Sequence, residues 1–291
     1  MPTMVERYRR PLLFYGLATA IPWTLWVLAG RVSHIEPSTP PLVLVESALG
    51  FLGLLGPVIV AFALIAADPV LKSDLIERLF RFRTFKPLYW ILACLLMLAS
   101  ILLATAISLL LGYSPSQFQL AAHASFSSGV VPVWFLLILA PIIEELAWHS
   151  YGTDCLRSRF NLFATCMIFA LFWGLWHAPL ALIKNYYQAN LAQAGLLSTL
   201  NFPISIIPFV LIMNWLYYKA GRNVWIAVIF HVTAGYFNEL FRTNPDTKVI
   251  QTGLLMVVAA FLVLRERDFF FRRSQPAAAA FEPAMDRSAH S

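Results

Sequence analysis

The sequence predicts an all-α, polytopic membrane protein of about eight transmembrane helices with both termini in the cytoplasm. Three observations carry that expectation. Hydrophobic residues make up 59% of the chain and charged residues only 12%, about half the ~25% charge of soluble domains. Mean hydropathy is +0.71. The 291 residues also contain repeated, continuous apolar runs of the roughly twenty residues that cross a bilayer as helix. A closed β-barrel would need short segments of alternating polarity, which these runs lack.

The spans follow in order. The first, 11–30, comes after ERYRR and superficially resembles a signal peptide. No convincing small-residue cleavage site follows it, so it is expected to be retained as a helix. Spans 42–66 and 88–111 are plain apolar runs, and 130–150 is apolar except for Glu144 and Glu145. Span 162–182 carries His177. Span 200–218 carries Asn214 and is interrupted by Pro203 and Pro208. Span 223–240 carries His231 and Asn238, and 249–264 closes the set.

Orientation follows from the basic residues. Seventeen Lys and Arg fall in the tails and the loops at 67–87, 151–161 and 219–222; only Arg31, Lys184, Arg242 and Lys248 fall on the other side. The positive-inside rule then places both termini in the cytoplasm of a cell's inner or plasma membrane. The net charge of +6 is a topology signal, and no nucleic-acid footprint accompanies it.

Outside the spans, Leu71–Arg83 places Leu75, Leu79 and Phe82 on one helical face with cations opposite, which predicts a helix lying along the cytoplasmic interface. Residues 112–129 read as a polar non-cytoplasmic loop free of Lys and Arg. Residues 1–273 form a single transmembrane domain, with its motif-bearing core at 130–240, and 274–291 are a low-complexity disordered cytoplasmic tail. Cys94, Cys155 and Cys166 are too few for a disulfide framework and take structural roles.

The polar groups inside the spans carry the chemistry. A carboxylate in hydrocarbon is disfavoured by several kcal/mol, so membrane helices rarely carry one without use. Residues 157–161 read as the turn of a helical hairpin, and Glu144 and His177 are nearly equidistant from it. Antiparallel helices of equal rise therefore set the two level, near mid-membrane. His231 reaches a compatible depth about nine residues, or ~13 Å, into its own helix. Each group also has a structural reading. Adjacent glutamates point ~100° apart, so only one is central to a site, and Glu145 can pair with His149 four residues on. A membrane histidine can simply hydrogen-bond a neighbouring helix, and so can Asn214 or Asn238. The tryptophans, Trp173 among them, read as packing and interface anchors.

Taken together, these motifs resemble the CPBP family (CAAX protease and bacteriocin-processing) of intramembrane proteases. Its EExxxR motif corresponds to Glu144, Glu145 and His149, and its FxxxH motif to Trp173 and His177. Its third motif, His followed four residues later by Asn, corresponds to His231 and Gly235. The resemblance covers about residues 130–240. It departs at His149 for Arg, Trp173 for Phe, and Gly235 for Asn; the nearest asparagine is Asn238, two turns from His231 on the same face.

The resemblance implies an intramembrane endopeptidase acting on a membrane-associated, possibly lipidated, protein or peptide. Glu144 with His177 would activate a water, and His231, aided by Asn238 or Asn214, would stabilise the oxyanion. Glu145 is counted with Glu144, His177, His231 and Asn238 among the catalytic residues, and His149, Trp173 and Asn214 would support the site. A metal version uses Glu144, His177 and His231 as a His₂Glu zinc site, although no HExxH motif is present. Two other readings stand beside these: a catalytically inactive membrane scaffold or bacteriocin-immunity protein on the same fold, and a small-solute transporter with ionisable groups at mid-membrane.

Overall fold

The computed structural model describes residues 4–80 and 86–272. The chain is all-α. The elements are α1 (Pro11–Ser33), α2 (Pro40–Ala66), α3 (Pro69–Phe80), α4 (Pro87–Leu110), α5 (Val133–Ala147), α6 (Thr153–Arg157), α7 (Leu162–Trp176), α8 (Tyr187–Gln193), α9 (Leu196–Lys219), α10 (Val224–Leu240), α11 (Pro245–Arg265) and α12 (Arg267–Phe271). A single π-helical turn, Trp148–Gly152, joins α5 to α6. Among the described residues, seven helical stretches are long and apolar enough to cross a membrane, with α10 as a shorter apolar helix beside them. These account for the eight predicted spans.

The helix starts are written locally. A proline opens α1, α2, α4 and α11 at their first turns, where its missing N–H costs nothing. Asparagine side chains cap three helices: Asn161 accepts from the Ala164 amide at α7, Asn223 from Trp225 at α10, and Asn244 from Asp246 at α11. Each satisfies a donor that the helix leaves without a partner. Asn161 therefore ends the predicted hairpin turn where 157–161 placed it.

Close packing depends on small residues. Gly53 of α2 lies against Trp26 of α1, where an added Cβ would come within 2.3 Å of the indole nitrogen. That nitrogen donates to the Gly50 carbonyl at 3.0 Å. In lipid, where apolar burial gives helices little reason to associate, such backbone approach supplies the contact.

The expectation for 71–83 needs correction. Leu71 and Leu75 are buried, but so is Arg78, which turns inward to bind protein groups rather than facing headgroups with the other cations. Phe82 and Arg83 lie outside the described residues, as does the tail at 274–291. The loop at 112–129 roofs the helices. Its Ala121 amide donates to the Leu240 carbonyl at 2.9 Å, and the Ser127 amide to the Asn185 carbonyl at 2.8 Å. All three cysteines are free.

Candidate active site

The adjacent glutamates on α5 diverge as helix geometry requires, and they have different surroundings. Glu144 lines a chamber of about 340 Å³ that Trp173, His177, His231 and Asn238 also line. Its Oε2 accepts from Trp173 Nε1 at 3.1 Å and from Trp148 Nε1 at 3.4 Å. Trp148 sits in the π turn, four residues on, and Trp173 comes from α7. Both indoles donate only, so they hold the carboxylate without competing for a proton. Trp148, read from sequence as packing alone, is therefore part of the site; its spacing of four from Glu144 was the available signal.

Trp173 also binds His177. Its carbonyl lies 2.6 Å from His177 Nδ1. A carbonyl only accepts, so Nδ1 carries the proton and the neutral ring keeps the Nε2 lone pair free. Glu144 and His177, expected at one height, are thus held by the side chain and the backbone of a single residue.

Glu145 is fully buried and faces away from the chamber. Its Oε1 lies 2.7 Å from His231 Nδ1, and its Oε2 binds His149 Nδ1 in the (i, i+4) pairing read from the sequence. One carboxylate therefore fixes two imidazoles. His231 packs its ring against Trp173 and Phe209, centroids 5.1 and 5.6 Å away, which leaves Nε2 as its remaining polar group. His149 stays out of the chamber. It packs on Tyr217 at 4.6 Å, and its Nε2 is buried without a hydrogen-bond partner.

Behind the site, the π turn frees backbone carbonyls that an α-helix would engage. The His149 carbonyl accepts from Arg78 at 2.8 Å and Tyr217 at 2.9 Å, and the Ser150 carbonyl accepts from Arg78 at 2.9 Å. Two acids balance the charge: Arg78 Nε lies 2.9 Å from Asp74, Arg222 pairs with both Asp74 and Asp154, and Asp154 also lies 3.3 Å from Arg78. Tyr8 accepts from Arg78 at 2.6 Å and donates to Asp74 at 2.7 Å. Burial pushes its phenol well above the ordinary range, so it stays neutral. Buried charges are tolerated when paired with opposite ones, and each charge in this cluster is; Arg78 Nε, close to Asp74, makes an ion pair but no aligned hydrogen bond. Sequence reading counted Arg78 and Arg222 as topology charges and passed over Asp74, Asp154, Tyr8 and Tyr217. Nothing in local periodicity joins residues so far apart in the chain.

The asparagines separate. Asn214 is fully buried in α9 and gives its amide to the Val210 carbonyl of its own helix at 3.0 Å. It does not line the chamber, so the structure does not bring it to the histidines. Asn238 does line the chamber, but its amide donates to the Tyr187 hydroxyl at 3.2 Å. Gly235, one turn beyond His231, leaves that stretch of wall without a side chain; a Cβ there would meet only Leu137, at 3.4 Å.

Among the described residues, no three His, Cys, Asp or Glu side chains stand close enough together to share a metal. Glu144 Oε2 is engaged by two indoles, and both chamber histidines hold Nδ1 against a protein acceptor, which leaves Nε2 of each ring as the atom open to a ligand.

The chain is similar to known proteins. Residues 125–237 match the family model described as type II CAAX prenyl endopeptidase Rce1-like. A protein of Methanococcus maripaludis named CAAX prenyl protease 2 is 36% identical over 273 residues, covering 93% of this chain and 99% of the relative.

Proposed function

Because this chain belongs to the CAAX prenyl protease family and is an intramembrane peptidase of that kind, we propose that it cuts a prenylated, membrane-associated substrate with a water activated between Glu144 and His177. The observation that carries this reading is the shared hold of Trp173. Its indole binds the Glu144 carboxylate while its carbonyl orients His177, so both proton acceptors line one chamber in fixed attitudes.

In this reading Glu144 takes the proton of the attacking water as the bond to the scissile carbonyl carbon forms. His177 accepts a hydrogen bond from the same water through its free Nε2. The carbonyl oxygen gains negative charge, and His231 donates to it through Nε2–H. Glu145, on the opposite nitrogen, steadies the ring when it carries both protons, as a buried carboxylate does for a catalytic imidazole. The proton held by Glu144 then passes to the departing amine as the C–N bond breaks.

The substrate class rests on the family name, in which CAAX denotes a C-terminal motif whose cysteine carries a prenyl chain. A chamber walled by Leu, Phe, Trp and Ile side chains suits such a chain. The bare wall at Gly235 favours a second reading, an inactive scaffold or bacteriocin-immunity protein. Cleavage of an S-farnesylated peptide by the purified protein in liposomes tests both. Loss of activity in Glu144→Gln and His177→Ala supports the proposal, and no cleavage by the wild type gives way to the scaffold. A chelator arm addresses metal: activity that survives extensive stripping supports the Glu144–His177 water, and activity lost on stripping and restored by zinc supports the metal version.

A further inference from the structure

We propose that Lys248, with the Tyr187 hydroxyl, forms a subsite that binds the free C-terminal carboxylate of the substrate. The inference rests on the peptidase reading above and adds where the chain end is held.

Lys248 is the sole Lys or Arg among the residues lining the chamber. Of the four cations on the charge-poor side, Lys184 is paired with Glu36 at 2.6 Å and Arg242 with the Gln119 side chain at 3.0 Å. Lys248 is held more loosely, 3.4 Å from Glu239 Oε1, with its side chain 17% exposed. Glu239 in turn spends Oε2 on the Ser125 amide at 2.7 Å, so the roof segment shares its charge. An ammonium has three N–H donors, and a single long contact leaves donors for a ligand.

Tyr187 completes the pair. Its ring lies 5.9 Å from the Lys248 ammonium, and its oxygen already accepts from Asn238 at 3.2 Å. The O–H is then free to donate into the chamber. Asn238, expected beside the oxyanion, acts here to aim that hydroxyl.

The spacing fits a short leaving peptide. Glu239, which marks the position of Lys248, lies eight residues beyond His231 on α10, a rise of roughly 12 Å. Three extended residues span roughly 10–11 Å. A carboxylate anchored at Lys248 would thus set the bond three residues from the chain end near His231. Glu46 and Glu239 both line the chamber; a carboxylate ligand at Lys248 would therefore compete with Glu239 for the ammonium, with the Ser125 amide holding Glu239 on its other oxygen.

The test is binding, so that it does not depend on turnover. The full-length Glu144→Gln protein in detergent is titrated with an S-farnesylated peptide carrying three leucines after its cysteine, as free acid and as C-terminal amide. The acid should bind at least roughly tenfold tighter, as expected for a charge-assisted hydrogen bond. Lys248→Met should erase that preference while leaving amide binding unchanged, and Lys248→Arg should keep it. Equal affinity for acid and amide, or an equal loss of both in Lys248→Met, overturns the subsite. The peptidase reading stands or falls separately, on wild-type cleavage.

Discussion

Glu145 and His231, 86 residues apart in sequence, are joined by a 2.7 Å contact between a carboxylate oxygen and Nδ1. This contact gives two neighbouring glutamates different surroundings. Glu144 faces the chamber, whereas Glu145 does not line it and holds a histidine that does.

Replacing Glu144 with Gln should remove the proton acceptor while keeping its shape. Turnover should fall at least roughly a hundredfold, with little change in the thermal unfolding midpoint. Comparison of kcat and unfolding in one preparation checks both.

Glu145→Gln should act differently. The neutral amide no longer compensates a doubly protonated His231, so kcat should drop by roughly a hundredfold or more while KM stays near its wild-type value. Equal activity of Glu145→Gln and wild type would remove Glu145 from the positioning role.

Arg78→Met should be the most destabilising of these changes. It removes the Arg78 donors from the His149 and Ser150 carbonyls, leaving only Tyr217 on the former, and leaves Asp74 and Asp154 to share the Arg222 cation. Removing one member of a buried charge cluster costs about 3–5 kcal/mol, and denaturant or thermal unfolding in mild detergent should show it.

Gly235→Asn places an amide one turn from His231, where the family has its asparagine. A Cβ there meets only Leu137, at 3.4 Å, so the change should fold with at most a small adjustment of that leucine. An added donor to the oxyanion should raise kcat several-fold or more; a single-turnover assay separates this gain from product release.

Much of this could be read along the chain. The apolar runs and their proline and asparagine starts define the helices, because backbone groups in lipid must be satisfied within the segment. The pairing of Glu145 with His149 is likewise local, a consequence of four-residue spacing. The inward turn of Arg78, the diversion of Asn214 to its own helix and the engagement of Asn238 by Tyr187 were not legible. Each depends on partners brought close by packing of distant helices.

The sequence by itself therefore determined the membrane-spanning helices, the polar residues they carry and the order of the motifs. Those follow from hydropathy and short-range spacing. Only the tertiary structure decided which glutamate lines the chamber, which histidine nitrogens stay free and which cation stands at the far wall. Hydrogen bonds form over about 3 Å, and no periodicity along one helix sets the distances between side chains of several.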